Sequence, residues 1–244
     1  KLMVWHGQEA LHAVVHHPLF GVGITLGVYQ MAQAAYERTR SMFLQPVLVS
    51  MIVVIGLLLL AGLSYEEYRD SAFVLTVLLG PTTVALAVPL YLNLQRIRQL
   101  FWPILITLAA AGTVATALGV GLAWAFGADH VMLMTLAPKS VTSPIAMLVA
   151  EQIGGVAALA AVFVLITGVI GAMCGPELLR RFGIHHPAAQ GIALGITAHA
   201  VGTGRALQES EECGAFAALA MSLMGALTAV ALPIAVIWIC GSPQ

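Results

Sequence analysis

The chain has 244 residues, of which 60% are hydrophobic and only 9% are charged. Soluble domains carry about 25% charged residues, so this composition excludes a soluble globule and a disordered chain and leaves a polytopic membrane protein. The formal net charge of −1 provides no basic face for nucleic acid. The three cysteines form no CxxC pair, which excludes a disulfide or zinc framework.

The amino-terminal segment, residues 1–17, is mildly amphipathic and lacks the basic, apolar and cleavage regions of a signal peptide. We interpret it as an interfacial helix or as sequence added for expression. A metal site is the alternative that its four histidines raise. They are His6, His12, His16 and His17. No carboxylate or cysteine accompanies them at a convincing spacing, so we expect neither a metal nor another cofactor.

The rest of the chain, residues 18–240, alternates between apolar segments and short polar loops. The apolar segments are residues 18–36, 46–63, 72–91, 102–126, 131–150, 156–175, 188–204 and 214–240. Prolines interrupt 72–91 and 131–150, and 188–204 is short and rich in Gly, Thr and His. We therefore predict an all-α polytopic membrane protein, a single domain over 18–240 with about seven to eight transmembrane segments, some of them broken or re-entrant.

An internal repeat is suggested by a fixed offset of 115 residues. This offset aligns the run Leu79-Gly80-Pro81-Thr82 with the run Leu194-Gly195-Ile196-Thr197 and superposes the plain helices on either side. A plain helix, a broken segment and a plain helix thus occur twice. The repeat halves lie at about 46–126 and 156–240, and the broken segment 131–150 links them.

Three arginine pairs test the orientation of these halves, because cytoplasmic loops collect basic residues. The pairs are Arg38/Arg40, Arg96/Arg98 and Arg180/Arg181. If 131–150 crosses the membrane fully, the last pair lies outside. If 131–150 is re-entrant, all three pairs lie inside and the two halves are inverted relative to each other. We expect the second arrangement, which is typical of secondary transporters.

Lys139 stands in the middle of an apolar segment, where a lysine at bilayer depth costs about 3 kcal/mol. Pro138 and Pro144 bracket it and remove backbone hydrogen bonds, which is tolerated only where the chain lines a cavity or meets protein. Together with the hydroxyls of Ser140 and Thr142, this pattern predicts a clamp for a carboxylate. The alternative is a lysine that extends to the surface from an interfacial loop.

His199 lies in the run Gly195–Thr203, which is rich in glycine and threonine. It is a candidate for proton coupling because histidine titrates near neutral pH, or it donates a hydrogen bond to substrate. A structural histidine bound to a backbone carbonyl is an equal alternative. The other expected substrate-binding residues supply hydroxyls or close backbone approach. They are Thr82, Thr83, Thr197, Gly202 and Thr203. No hydrolase, kinase or metalloprotease motif occurs, so we expect no catalytic residue and no enzymatic activity.

Three motifs, in order, resemble those of the LrgB/CidB family: residues 79–91, 136–147 and 195–203. The resemblance extends from about residue 18 to 240. Ser143 and Ile196 depart mildly from the expected pattern. Bacterial members of this family are described as antiholin-like, and the plant relative is a plastid glycolate/glycerate translocator.

The resemblance implies a secondary transporter of small monocarboxylates of the glycolate, glycerate, pyruvate or lactate class, working by alternating access with or without proton coupling. The alternative is an antiholin-like regulator of murein hydrolase export and cell lysis that acts with an LrgA/CidA-type membrane partner. We further expect an integral protein of the bacterial inner membrane, or alternatively of the chloroplast inner envelope. A homodimer or a higher homo-oligomer is expected, and no nucleic-acid partner.

Overall fold

The computed structural model describes residues 17, 19–39 and 41–240. Apart from His17, the segment 1–17 therefore lies outside the described residues. Throughout the described part the regular secondary structure is helical, which confirms the all-α class. The helices fall into two compact units, residues 1–85 and 86–244. Because the first repeat half, 46–126, is divided between these units, the inverted repeat stays a prediction.

The first unit contains four helices in its described part. They are α1 (Phe20–Thr39), α2 (Pro46–Ala61), α3 (Tyr65–Ser71) and α4 (Phe73–Ala85), with a short 3₁₀ turn at Met42–Leu44. The hydroxyls of Thr25 and Tyr68 lie 2.7 Å apart and join α1 to α3. Ser64 caps α3 in a capping box with Glu67, which satisfies two backbone N–H groups.

The second unit contains the remaining helices. They are α5 (Ala87–Leu92), α6 (Leu94–Gln99), α7 (Phe101–Ala125), α8 (His130–Leu136), α9 (Ser143–Gln152), α10 (Ala157–Arg181), α11 (Pro187–Glu209) and α12 (Glu211–Cys240). The three long helices α7, α10 and α12 enclose a core of buried apolar side chains. Its members include Leu108, Val164, Phe216 and Met224.

Four helical stretches in the described residues are long and apolar enough to cross a membrane. They are Phe73–Leu92, Phe101–Ala125, Ala157–Arg181 and Glu211–Trp238. A fifth results if Pro46–Ala61 and Tyr65–Ser71, which meet at an angle of 116°, form one broken span. This confirms a polytopic membrane protein, whereas the expected seven to eight spans are not reached within the described residues.

The difference in the number of spans has physical causes. α1 has 20 residues, but its second half carries the polar residues Gln30, Gln33, Glu37 and Arg38. It is therefore not apolar enough to count as a membrane span. Segment 131–150 forms two short helices, α8 and α9, of 7 and 10 residues. A span needs about 20 residues, so neither of these crosses a bilayer alone.

The two arginine pairs of the second unit, one on α6 and one in the last turn of α10, lie at the same end. Arg96 Nε is 3.0 Å from Glu212 Oε1 at the start of α12, and Arg180 Nη1 is 3.6 Å from Glu209 Oε2 immediately before it. We call this the arginine end. Both arginine pairs are expected at one end if 131–150 is re-entrant, because α7 then starts at this end and α10 returns to it. Arg40 lies outside the described residues.

We expect thiol labelling to place Arg98 and Arg181 on one side of the membrane and Phe126 on the other. Each is replaced by cysteine in a protein whose Cys174, Cys213 and Cys240 have been substituted, and a membrane-impermeant reagent is applied from either side. All three positions are exposed in the structure, so access is governed by the bilayer. Labelling of Arg98→Cys and Arg181→Cys from opposite sides would contradict this topology.

Candidate membrane-embedded site

The helix α11 is broken at His199, which has φ 42° and ψ −125°. It is the one non-glycine residue with positive φ in the described part of the chain, a backbone conformation that only the surrounding packing can hold. A Cβ atom on Gly202 would collide with the carbonyl oxygen of Leu194. In a straight helix these positions would be about 12 Å apart. The chain therefore turns back on itself at His199, which we call the α11 break.

Both halves of α11 lie toward the arginine end. The first half begins at Pro187, six residues after Arg181, and the second half ends at Glu209, which pairs with Arg180. A single membrane crossing would place these two ends on opposite sides. α11 is thus a re-entrant hairpin that enters and leaves at the arginine end.

The α11 break lies at half the depth of α10. A Cβ on Gly175 would lie 2.7 Å from Leu194 Cδ2, and one on Gly168 would lie 2.6 Å from His199 Cε1. The first half of α11 therefore runs antiparallel along α10 toward Gly168. Gly168 is next to the midpoint of this 25-residue helix.

The His199 ring is buried and already bound. It is 3% exposed, and its Nε2 lies 3.0 Å from the carbonyl oxygen of Val164. Thr203 Oγ1 donates a hydrogen bond of 2.8 Å to the His199 carbonyl at the start of the second half of α11. These are the contacts of a structural histidine, and a proton-carrying role stays a prediction.

A second hairpin, residues 130–156, enters from the opposite end of the unit. Thr135 Oγ1 accepts a hydrogen bond of 2.9 Å from the backbone N–H of Val156, so the chain returns to α8 before α10 begins. Val236, near the end of α12, packs in one apolar cluster with Met134. Ile145 lies at the middle of α12, because a Cβ on Gly225 would be 2.8 Å from its Cδ1. Residues 137–142, between α8 and α9, are called the lysine break.

Lys139 extends from the lysine break across α7. A Cβ on Gly119 would lie 2.6 Å from Lys139 Cε and 3.2 Å from its Nζ. The ammonium lies 3.4 Å from Ser140 Oγ, which is buried. Lys139 is half-buried, and among the described residues no ion pair includes it. A half-buried cation without a carboxylate partner suits an anionic ligand.

The lysine break ends at the first turn of α9. Thr142 precedes this helix with extended backbone, and its side chain makes no capping hydrogen bond. Pro144 occupies the first turn, where a missing N–H costs nothing, and it is exposed. Pro138 is fully buried. The free N–H groups at the start of α9 carry partial positive charge beside the lysine break.

The predicted site residues are thus brought together in two groups. Pro138, Lys139, Ser140 and Thr142 form the lysine break, and His199, Gly202 and Thr203 form the α11 break. Val141 and Ile196, one from each segment, belong to the same cluster of buried apolar side chains. Both breaks therefore border one core.

Two further predicted residues belong to the first unit. Thr82 is exposed on α4, and its Oγ1 donates a hydrogen bond of 2.7 Å to the carbonyl of Leu78. The side chain of Thr83 lies outside the described part of the structure. Their proposed contact with substrate stays a prediction.

Sequence reasoning missed the glycines that lie against the two candidate side chains, Lys139 and His199. Gly119 lies under Lys139 and Gly168 lies under His199. The spacing of Gly168, Gly171 and Gly175 by three and four residues is a signal for close helix packing. No comparable signal marked Gly119. Within the described residues, no group of three or more His, Cys, Asp or Glu side chains lies close enough to hold a metal ion.

A cleft of about 880 Å³ opens between the α6–α7 region and the first half of α11. Its lining includes Arg96, Thr107 and Thr197, so Thr197 is the predicted site residue that it contains. Lys139 does not line it. Thr107 and Gly119 are twelve residues apart on α7, a separation of about 18 Å. The cleft and the lysine break are therefore distinct parts of the second unit.

Comparison with known proteins identifies a family. The LrgB-like family matches residues 25–238. The chain is 36% identical to "Uncharacterized protein YwbG" of Bacillus subtilis (strain 168), over 86% of this chain and 93% of that protein. It is 36% identical to "Uncharacterized protein YxaC" of the same strain, over 88% and 94% of the two chains.

A relative with a more informative name is the "Antiholin-like protein LrgB" of Bacillus cereus (strain B4264). It is 29% identical to this chain, over 88% of this chain and 94% of its own length. No solved structure matches the chain.

We expect Gly168→Ala to lower the free energy of unfolding by about 1–3 kcal/mol, the usual cost of overpacking. The added methyl would meet the His199 ring, which is buried and bound to the Val164 carbonyl of the same helix, α10, and so has little room to move. Gly121→Ala is the matched control, because nothing lies within 4 Å of its Cβ position. Thermal unfolding in detergent measures both variants. Equal stability of the two would show that His199 is not packed as described.

Proposed function

The chain belongs to the LrgB-like family, and from this premise and the geometry of its two hairpins we propose that it is a secondary transporter of small monocarboxylates. The observation that carries the proposal is a pair of broken segments that enter the second unit from opposite ends. One holds a lysine without a carboxylate partner among the described residues. Opposed broken helices around a site deep in the membrane are the architecture of alternating access.

The depth of Lys139 supports a substrate role. Gly119, which its side chain crosses, lies six residues beyond the midpoint of α7, or about 9 Å along the axis. With α7 centred in a hydrocarbon core of about 30 Å, the ammonium lies inside this core. Its cost there, about 3 kcal/mol, is offset when a carboxylate binds it.

Two helix starts add to the positive potential. α9 begins at the lysine break, and the second half of α11 begins at Ala200, directly after the α11 break. Helix N-termini carry partial positive charge and stabilise anions. A substrate with one carboxylate and a neighbouring hydroxyl or keto group matches one lysine with several hydroxyls nearby, which favours glycolate, glycerate, pyruvate or lactate.

The proposed roles follow from these positions. Lys139 neutralises the carboxylate, and Ser140 and Thr142 bind its oxygens or the hydroxyl of the substrate. Thr203 and Gly202 border the α11 break and contribute a hydroxyl and close backbone approach. A substrate role for Thr82 and Thr83, which belong to the first unit, stays a prediction from the sequence. Proton coupling through His199 would use Nδ1, because Nε2 donates its hydrogen to the Val164 carbonyl. We propose the bacterial inner membrane as its location, because the named relatives are bacterial. A homodimer or a higher oligomer stays a prediction.

A second candidate function is supported by the names of relatives rather than by geometry. Several Bacillus relatives are named antiholin-like protein LrgB, and these names favour a regulator of murein hydrolase export and lysis over a transporter. Such a regulator would act with an LrgA/CidA-type membrane partner. It needs no lysine in the membrane, so Lys139→Ala would leave a lysis phenotype intact.

We expect purified protein in proteoliposomes to take up labelled glycolate, and Lys139→Ala to reduce uptake at least tenfold. The loss corresponds to one charge-assisted hydrogen bond, about 1.5–3 kcal/mol, or roughly 10–100-fold. Lys139→Arg, which keeps the charge, retains part of the activity. If well-folded protein takes up none of the four acids and Lys139→Ala still complements a lysis phenotype, the regulator is the correct function.

The contact between Lys139 and Gly119 makes a subtler prediction. Gly119→Ala displaces the flexible end of the lysine without disturbing backbone, so we expect a several-fold rise in the half-saturating glycolate concentration and unchanged thermal stability. Gly121→Ala lies two residues further along α7, with open space at its Cβ, and leaves both quantities unchanged. Identical uptake kinetics in the two variants would show that Lys139 does not contact the substrate.

A further inference from the structure

The cleft of the second unit extends from the arginine end toward the centre of the membrane. On α7 its lining follows a spacing of four residues, through Pro103, Thr107 and Ala111. These positions lie on one face of the helix and cover about 12 Å of its length. Ala111 is two residues from the midpoint of α7. The inner end of the cleft is thus at half the depth of the membrane.

The opposite wall of the cleft reaches the α11 break. Ala189, Ala193 and Thr197 line it, again at a spacing of four residues. Thr197 lies two residues before His199, where α11 turns back. The cleft therefore connects the arginine end with one of the two breaks that we assign to the substrate site.

The polar lining distinguishes this cleft from a groove for lipid tails. Thr197 lines the cleft, but its Oγ1 already donates a hydrogen bond of 2.7 Å to the Ala193 carbonyl. Thr107 is exposed on an otherwise apolar stretch of α7, and Gln99 also lines the cleft. A groove filled by acyl chains gains nothing from these amide and hydroxyl groups. Water, or a polar solute, satisfies them.

Arg96 lies at the outer end of the cleft. Its Nε is 3.0 Å from Glu212 Oε1, and its Nη2 is 2.8 Å from His186 Nε2. A guanidinium has five N–H donors, and Nη1 has no hydrogen-bond partner among the described residues. The side chain is held in place by two neighbours and still offers donors to an anion.

We propose that this cleft is a water-filled access path from the arginine end, and that Arg96 is its capture site for carboxylates. An incoming carboxylate binds the free N–H groups of Arg96 in competition with Glu212, and then moves along Thr107 and Thr197 to the α11 break. The identity of the carboxylate rests on the proposed function. The hydration of the cleft and its preference for anions do not.

The first experiment measures hydration. Thr107→Cys and its neighbour Ile106→Cys are compared in the full chain with its native cysteines substituted, using an impermeant, anionic methanethiosulfonate from the arginine end. Ile106 is also exposed but lies outside the cleft. Because the cysteine thiolate attacks the reagent and releases its sulfinate, and a thiolate forms readily only in contact with water, we expect Thr107→Cys to react at least tenfold faster. Equal, slow labelling of both would overturn the access path.

The second experiment measures anion preference, as the ratio of labelling rates of Thr107→Cys by anionic and cationic methanethiosulfonates. We expect Arg96→Gln to lower this ratio at least threefold. Glu212→Gln raises it, because the competing carboxylate is removed. Arg98→Gln is the matched control, an exposed arginine of α6 that does not line the cleft. An equal decrease of this ratio in Arg96→Gln and Arg98→Gln would show that Arg96 acts only through the general surface charge, and would overturn its role as the capture site.

The third experiment separates this inference from the proposed function. Labelling of Thr197→Cys is repeated with glycolate present, and glycolate is expected to slow it. Rapid labelling of Thr107→Cys in a protein that transports no carboxylate would support the path and overturn the transporter. Glycolate uptake in a protein whose Thr107→Cys stays unlabelled would support the transporter and overturn the path.

Discussion

Inside a bilayer, every backbone N–H and C=O group must find its partner within the protein, and the second unit depends on how it meets this constraint. α11 turns back at His199, which leaves helix ends at half the depth of the membrane. They are tolerated because α10 and α12 enclose the break closely. Gly168, Gly171 and Gly195 make this approach possible, since a Cβ at each would meet a neighbouring atom at under 3 Å. The break is thus a property of three packed helices rather than of α11 alone.

The absence of water inside the bilayer also governs where the charged side chains lie. Arg96 and Arg180 lie at one end of the unit, each paired with a glutamate at the junction of α11 and α12. These partly exposed pairs contribute little stability individually, but they join α6 and α10 to the junction of α11 and α12. Lys139 is different, because it is half-buried and no ion pair among the described residues includes it. The contrast between paired arginines and an unpaired lysine supports the assignment of the lysine break to substrate.

Particular residues show how much of this arrangement could be predicted. Pro138 and Pro144 predicted the lysine break, because proline removes backbone hydrogen bonds and interrupts a helix. The glycine-rich run around His199 indicated a second irregular segment, although no proline marks where it turns. Neither Gly119 nor the face of α7 that carries Thr107 could be predicted. α7 is almost uniformly apolar, so its periodicity does not distinguish the face that meets protein from the face that meets lipid.

The sequence by itself determined the membrane class, the family and the rarity of charge, because composition and short motifs are local properties that survive without coordinates. Only the tertiary structure decided that the two broken segments enter from opposite ends, and that the His199 ring binds the Val164 carbonyl. It also decided that an open cleft leads to the α11 break. These features depend on which helices pack together. In a chain of nearly equivalent apolar helices, packing is set by small residues and shape rather than by a hydrophobic pattern.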